Sequence, residues 1–260
     1  MNTVQLLPYK QHVVSLLKLG LPIVVGQLGM IILGLADTVM IGHHSTDELA
    51  AAAFVNNVFN LAIIFATGFS YGLTPLIGML QGSGNTQGIG RVFRNALVSH
   101  TALALLLTAI MYVVYCFVDQ MGQPVELLPH IRPYFILQLV SLVFVMLFNS
   151  YRQFAEGLTD TRTPMWILLG GNALNIVGNY LLIYGSFGLP EWGLFGAGVS
   201  TLVSRVVMLL VFVAIVACTP RYRAYREAIR HSHFNRNDFV QLYALGWPIA
   251  LQMGMETAAF

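Results

Sequence analysis

Six apolar runs of at least 18 residues, separated by clusters of charged residues, glycine and proline, constrain this chain more than any other feature. A helix of roughly 20 apolar residues crosses the hydrocarbon core of a bilayer, which is about 30 Å thick. One such run would fit a buried helix of a soluble protein, but six require a membrane. Composition agrees, because only 9% of the residues are charged, against about 25% in an ordinary soluble domain. The sequence predicts an all-α integral membrane protein.

Hydropathy and the positions of glycine, proline and charge delimit the predicted spans. They cover residues 12–41, 49–80, 94–118, 133–154, 164–184 and 193–218. The first run is far longer than the core of a signal peptide and no small-residue cleavage site follows it, so we expect it to be retained. A seventh apolar run begins near Phe239 and reaches Phe260, which is short of a normal crossing. We therefore expect the sequence to be truncated within a seventh helix.

A short repeat links the first and seventh runs. The sequence Leu-Gly-Leu-Pro-Ile at 19–23 recurs as Leu-Gly-Trp-Pro-Ile at 245–249. Both copies follow a basic segment and enter the membrane in the same direction, which predicts parallel duplication of a six-span unit. Many secondary transporters consist of two such lobes. We predict an amino-terminal six-helix lobe at 1–218, a basic cytoplasmic linker at 219–238 and the start of a carboxy-terminal lobe at 239–260.

The distribution of lysine and arginine predicts the orientation, because cytoplasmic loops carry an excess of both. Arg132 is on one side of the predicted spans, and Arg205 is inside a span. The other eleven basic residues are on the opposite side: Lys10, Lys18, Arg91, Arg94, Arg152, Arg162, Arg221, Arg223, Arg226, Arg230 and Arg236. The amino terminus is therefore predicted to be cytoplasmic. Residues 221–236 would also suit lipid headgroups, but we interpret them as a solvated linker.

Cysteine content and charge indicate neither a metal centre nor a nucleic-acid partner. Cys116 and Cys218 lie far apart inside apolar runs, and no Cys/His spacing typical of a zinc site is present. The net charge of +2 is small, and membrane topology accounts for the basic residues. Composition predicts the lipid bilayer as a partner; small organic substrates, with no cofactor apart from a coupling ion, are what the family resemblance described below implies.

Three ionisable residues lie deep inside the predicted apolar runs, away from the basic residues near their cytoplasmic ends, and at such depth each is costly and tends to face a cavity or a charged partner. They are Asp37, Arg205 and Glu256. A shielded carboxylate such as Asp37 can load and release a proton, or hold Na⁺ when it is ionised. The structural alternative is that Asp37 is paired with Arg205, which would then be an internal counter-ion. Glu256 lies about two turns beyond Pro248, deep in the seventh run.

Amide side chains are the second group of candidates. Asn175 and Asn179 are four residues apart in the fifth span, so they share one helix face. Such a pair would coordinate a substrate or bridge a carboxylate. Hydrogen bonding between helices is the alternative, because polar residues often hold membrane helices together.

These residues together resemble the multidrug and toxic compound extrusion (MATE) family, and its bacterial NorM-like branch in particular. The resemblance covers essentially the whole sequence. It rests on four motifs: Pro22 followed by Asp-Thr-Val-Met-Ile-Gly at 37–42, Glu-Gly-Leu-Thr-Asp-Thr-Arg-Thr-Pro-Met at 156–165, Asn175 with Asn179, and Gly-Trp-Pro at 246–248 leading to Glu256.

The resemblance implies a twelve-helix, two-lobe antiporter of the bacterial inner membrane, active as a monomer of the full-length chain. It would export organic, often cationic, compounds in exchange for Na⁺ or H⁺. By match of motif, Asp37, Asn175 and Asn179 would form a polar site of the amino-terminal lobe. Glu256 would belong to a cation site of the carboxy-terminal lobe and would be a ligand of Na⁺.

Three other functions are alternatives to the antiporter, and each requires features of the sequence that can be compared with it. A flippase for lipid-linked precursors, from the same wider superfamily, would need a larger cationic cavity, and Arg205 is the only basic residue deep within the spans. A membrane-embedded enzyme would need a catalytic or metal-ligand constellation at matched depth, and His100 stands alone near a span. An ion channel fits duplicated lobes with buried carboxylates less well than a carrier does.

Overall fold

The computed structural model of the chain describes residues 9–188 and 190–258, and this part is largely helical. Within it nine α-helices follow one another: α1 (Tyr9–His44), α2 (Thr46–Tyr71), α3 (Leu73–Gly82), α4 (Thr86–Cys116), α5 (Leu128–Gly157), α6 (Arg162–Ile183), α7 (Gly193–Cys218), α8 (Arg223–His231) and α9 (Arg236–Ala258). Six stretches of the described residues are long and apolar enough to cross a membrane. The predicted all-α membrane fold is confirmed.

The second predicted span, at 49–80, contains two helices rather than one. Helix α2 ends at Tyr71, and α3 begins two residues later. Pro75 has no N–H group to donate to the carbonyl four residues earlier, which belongs to Tyr71. The interruption therefore falls where the proline removes a helical hydrogen bond, and Gly72 occupies the joint.

Glycines allow α9 to lie against α2 with the two backbones almost in contact. A methyl group at Gly72 would lie 2.7 Å from the backbone nitrogen of Gly246, and one at Gly68 would lie 2.9 Å from the Cα of Ala250. Small residues at such crossings are typical of membrane proteins, because lipid provides no hydrophobic force between helices and close packing must supply the attraction. The predicted start of a second lobe is thus held on α2.

Helices α1, α2, α5, α6 and α7 surround the centre of the bundle. Helix α6 packs against α1 and α7, and α5 packs against α2, α4 and α7. Buried apolar side chains form one cluster that includes Phe59 and Phe135, and a second that includes Phe93, Phe148 and Phe212. Phe59 and Phe148 border the same central cavity. The cavity therefore has an apolar cluster on either side of it.

Residues 221–236 are predicted to be a solvated linker, but part of this segment is a helix that packs on the bundle. Helix α8 packs against α4, and a methyl group at Gly90 would lie 2.5 Å from the backbone carbon of Ala228. The buried Tyr222 donates its hydroxyl to Oδ2 of Asp160 over 2.7 Å. Arg91 is bonded to the buried carboxylate of Asp238 over 2.5 Å. The arginines of α8 are therefore exposed, while the opposite, apolar side of this helix packs against α4.

Candidate functional site

Two of the predicted polar residues, Asp37 and Arg205, line the central cavity. It has a volume of about 440 Å³ and is lined by side chains from α1, α2, α5, α6 and α7. Its polar lining includes Asp37, Asn56, Asn60, Asn172 and Arg205. The expectation that Asp37 faces a cavity rather than lipid agrees with this placement.

An amide of α6, that of Asn179, holds the carboxylate of Asp37. Asn179 is fully buried and donates its Nδ2 to Oδ1 of Asp37 over 2.6 Å. The same nitrogen lies 3.1 Å from Oδ1 of Asn175, whose own amide nitrogen is bonded to Oγ1 of Thr201. Exchanging the oxygen and nitrogen of the Asn175 amide would place its nitrogen 3.0 Å from Oδ1 of Asp37 as a second donor. The structure thus brings three of the predicted residues together, and their role in binding stays a prediction.

Arg205 lines the same cavity but is held by a different helix. Its Nη1 donates to Oε1 of Gln138 over 2.9 Å and also to Oγ of Ser141. No salt bridge joins it to Asp37 among residues 9–188 and 190–258. The two groups therefore form no direct salt bridge, and the role of Arg205 as an internal counter-ion stays a prediction. The salt bridge is absent because each group has other hydrogen-bond partners. Asn179 of α6 donates to the Asp37 carboxylate, while Gln138 and Ser141 of α5 accept from Nη1 of Arg205.

Glu256 is not brought to the central cavity. It is exposed on α9 and accepts a hydrogen bond from Nε2 of Gln252 over 3.0 Å, one turn earlier. Helix α9 packs on α2, and none of its residues lines the cavity that contains Asp37. The two predicted carboxylates therefore belong to separate places on the chain.

Sequence reasoning missed a buried ion pair beside the cavity. Arg152 lines the cavity, and its Nε lies 2.7 Å from Oε1 of Glu156. Both side chains are largely buried, with 5% and 11% of their surface exposed. The spacing of four residues between an arginine and a glutamate on one helix indicates such an ion pair. The distribution of basic residues instead predicts that Arg152 belongs to the cytoplasmic side.

A second polar cluster, also missed, joins the helix ends on the opposite side of the bundle from α8. His44 has its Nδ1 2.8 Å from Oε2 of Glu48 and its Nε2 2.9 Å from Oε1 of Glu191. Glu48 also accepts the backbone N–H of Leu194 at the start of α7, over 2.9 Å. The left-handed backbone of Gly193, with φ of 52°, leaves room for that carboxylate. No sequence signal brings residues so far apart in the chain together.

Comparison with known proteins agrees with this architecture. The family model MatE matches residues 22–181. The multidrug resistance protein NorM of Aliivibrio fischeri is 27% identical over 252 residues, which are 97% of this chain and 55% of that protein. A probable multidrug resistance protein NorM of Photorhabdus laumondii is 27% identical over 242 residues, covering 93% of this chain and 53% of that protein. The chain spans about half the length of the curated relatives it matches.

Solved structures show the same fold. A MATE protein in the bent conformation superposes with a TM-score of 0.83 at 23% identity, over 95% of this chain and 54% of the other. The outward-facing conformation of a multidrug resistance MATE transporter superposes with a TM-score of 0.82 at 22% identity, over 92% of this chain and 52% of the other. These likenesses establish the arrangement of the helices.

Proposed function

Because this chain belongs to the MatE family, whose model matches more than half of it, we propose that it is the amino-terminal lobe of a multidrug exporter. The exporter expels organic, often cationic, compounds in exchange for Na⁺ or H⁺ by alternating access. Two curated relatives are named multidrug resistance proteins, which supports this substrate class. The chain itself is a multi-pass membrane protein.

The observation that carries the proposal is the carboxylate of Asp37 in a polar cavity within the membrane-spanning helices. A carboxylate at this depth is expensive, and such residues mark ion and substrate pathways. Oδ1 of Asp37 is bonded to Asn179, and Oδ2 has no hydrogen-bond partner among residues 9–188 and 190–258. Oδ2 can therefore take a proton, a sodium ion or a cationic group of the cargo. Ion and cargo then exclude one another at one carboxylate, and this exclusion couples their movements.

The coupling ion is either Na⁺ or H⁺, and two separate carboxylates are proposed for it. Asp37 has amide groups nearby, and carboxylate and amide oxygens are the hard ligands that Na⁺ takes. Glu256 has Gln252 beside it on α9 and is proposed as the Na⁺ ligand of a second site in the carboxy-terminal lobe. The two sites would act in different lobes of the exporter.

The proposed location is the inner membrane of a bacterium, with the amino terminus in the cytoplasm. The curated relatives come from bacteria, and the bias of basic residues supports the orientation. The proposed division of the chain is the one predicted from sequence: a lobe at 1–218, a linker at 219–238 and the start of the second lobe at 239–260. The linker connects α7 to α9, and the packing of α8 on α4 supports a boundary between the lobes within it.

No observation favours the flippase over the exporter. Arg152 and Arg205 both line the cavity, but Glu156 neutralises Arg152. Among the described residues that line the cavity, Arg205 is thus the one cation without an acidic partner to meet an anionic pyrophosphate headgroup. The curated relatives are transporters and not enzymes. His100 is buried against Ser150 and away from the cavity lining.

Ethidium uptake into everted membrane vesicles that contain the full-length exporter tests the proposal, because an exporter moves its cargo into the lumen of such vesicles. The parent should export the dye under an imposed Na⁺ or H⁺ gradient, while Asp37→Asn combined with Glu256→Gln should lower the initial rate by roughly tenfold or more, the scale of a typical coupling free energy. Glu227→Gln is the matched control, because Glu227 is 61% exposed in a surface pair with Arg223 and such pairs contribute little. If the double variant exports ethidium as fast as the parent, the mechanism is wrong.

A further inference from the structure

A groove between α6 and α7 opens on the outer surface of the bundle, apart from the central cavity. It has a volume of about 590 Å³, and Met208 is the residue that it shares with the cavity lining among the residues described. One face of α6 lines the groove through residues that are four apart: Arg162, Trp166, Gly170 and Leu174. From the first to the last of them the helix rises about 18 Å. The groove is therefore about as long as one leaflet is thick, which is half of a hydrocarbon core of about 30 Å.

The groove is apolar and open along most of its length. An added methyl group at Gly170 would meet nothing within 4 Å, whereas one at Gly171 would overlap the side chain of Met208 on α7. The two helices thus pack closely at Gly171 and leave a channel beside it. Trp166, one turn before Gly170, is 67% exposed, and Leu174, one turn after it, is exposed as well. The wall on α7 is also apolar: Val207, Val211 and Ile215. In a bilayer an acyl chain fills such a channel, because apolar surfaces without neighbours lose dispersion contacts.

Arg162 adds a positive charge at one end of the groove. It is exposed and forms no salt bridge with any residue in 9–188 or 190–258. Asp160, the acidic residue closest to it in sequence, is buried and accepts hydrogen bonds from Thr163 and Tyr222. Asp160 also lies 3.3 Å from Arg221, so its charge is already balanced. Arg162 is therefore left to bind an anion from outside the chain.

A second groove at the other end of α6 differs in this respect. It has a volume of about 730 Å³ and an apolar and aromatic lining: Met40, Ile176, Val177, Tyr180 and Tyr184. None of these described lining residues is basic. An acyl chain alone would fit either groove, but the one that begins at Arg162 also offers a partner to a negatively charged headgroup.

We propose that the groove between α6 and α7 binds an anionic phospholipid, with the phosphate on Arg162 and one acyl chain along the face from Trp166 to Leu174. A guanidinium binds phosphate oxygens through paired hydrogen bonds. Arg162 lies at the end of the bundle that is proposed to be cytoplasmic, where basic residues attract anionic lipids. Trp166 is one turn away from it, and tryptophan is common at the level of the headgroups. This site goes beyond the proposed export function, because it recognises the membrane and not the cargo.

Quenching of tryptophan fluorescence by brominated lipids tests the site. The full-length exporter, with phenylalanine in place of every tryptophan except Trp166, is reconstituted in phosphatidylcholine nanodiscs. These contain a rising fraction of phosphatidylglycerol or of phosphatidylcholine with brominated acyl chains. Brominated phosphatidylglycerol should half-quench Trp166 at a mole fraction at least about fivefold lower than brominated phosphatidylcholine, which is the effect of one basic residue on an anionic lipid. Arg162→Gln should bring the two mole fractions within about twofold of each other.

Two variants control for charge. Arg162→Lys keeps a positive charge that can bind a phosphate, so it should keep a preference for phosphatidylglycerol. Arg226→Gln removes an exposed arginine from α8, at the same end of the bundle, and should leave both mole fractions unchanged. If Arg226→Gln abolishes the preference as Arg162→Gln does, the general charge of this face attracts the lipid and the proposed site is wrong.

Two further variants test the groove itself and decide the matter if Arg162→Gln does not fold. Gly170→Leu fills the open channel without changing any charge, so the preference for phosphatidylglycerol should be lost. Gly20→Leu is the matched control, because a methyl group at Gly20 on α1 also meets nothing within 4 Å, and it should keep the preference of the parent. An unchanged preference in Gly170→Leu would contradict a site that seats the acyl chain.

The remaining outcomes identify other occupants. If neither brominated lipid quenches Trp166, protein covers the groove and the inference is wrong. Sodium phosphate should not relieve the quenching; relief would assign Arg162 to a free anion instead of a lipid. If the protein with one tryptophan does not fold, the same titration is made on the difference between the parent and Trp166→Phe. None of these measurements depends on ethidium uptake, so the lipid site and the export function fail separately.

Discussion

The hydrogen bond between Asn179 and Asp37 is the contact on which the chemistry of the cavity depends most. Asn179 is fully buried and lies 2.6 Å from the carboxylate, so it orients one oxygen and leaves the other facing the cavity. An amide is a neutral donor, and it therefore stabilises the carboxylate without cancelling its charge. An arginine at this position would instead bind Asp37 as a permanent counter-ion and remove its capacity for a cation.

Replacement of Asn179 by leucine should destabilise the protein and impair export together. The change leaves Oδ1 of Asp37 without its donor, which costs about 1–3 kcal/mol for a buried polar group. Thermal unfolding in detergent should show a lower midpoint than the parent. Asn57→Leu is the matched control, because Asn57 is exposed on α2 and should change the free energy of unfolding by no more than about 0.5 kcal/mol. Equal midpoints for Asn179→Leu and the control would contradict this role.

The sequence predicts which residues belong near the cavity better than it predicts their partners. Asp37 is identified by the cost of a charge in lipid, and Asn175 with Asn179 by their spacing on one face. The sequence does not show that Asp37 and Arg205 lack a direct salt bridge, because depth in the membrane gives no rotation about the helix axis. Gln138 and Ser141, which hold Arg205, are ordinary polar residues of α5 and stand out only once α5 and α7 are packed together.

At the scale of elements, glycines decide which helices lie close together. Gly72 and Gly246 bring α2 and α9 into backbone contact, and Gly90 does the same for α4 and α8. Hydropathy predicts the existence and length of the spans, because both follow from transfer of apolar residues into lipid. It does not predict these contacts, since a glycine on a lipid-facing surface and one in a helix crossing look the same in the sequence.

Replacement of Gly90 by alanine should loosen α8 from α4. The added methyl group would lie 2.5 Å from the backbone carbon of Ala228, where no flexible side chain can give way, and overpacking of this kind costs about 1–3 kcal/mol. Trypsin should then cut after the arginines of α8 at least about fivefold faster than in the parent. Gly82→Ala is the control, because a methyl group there meets nothing within 4 Å. An unchanged rate of cleavage in Gly90→Ala would show that α8 is not docked as described.

At the scale of the whole molecule, polar contacts fasten each end of the bundle. On the side of α8, Asp160 receives hydrogen bonds from Thr163 and Tyr222 and lies 3.3 Å from Arg221. Burial is the main cause, and the hydrogen bond to Asp160 the second, of a raised pKa of Tyr222. The Tyr222 hydroxyl therefore stays a neutral donor. At the other end, His44 and Glu48 join α1, α2 and the start of α7. The basic residues of α8 mark the first end as the proposed cytoplasmic face.

Labelling of single cysteines should establish this orientation. Gln120 lies between α4 and α5, Ser83 lies between α3 and α4, and both are exposed. With the two exposed native cysteines, Cys116 and Cys218, replaced by alanine, a membrane-impermeant maleimide should label Gln120→Cys in intact cells. It should label Ser83→Cys only after the membrane is permeabilised, because eleven basic residues predict that side to be cytoplasmic. The reverse pattern would invert the topology and would place α8 and its arginines outside the cell, where the positive-inside bias could not explain them.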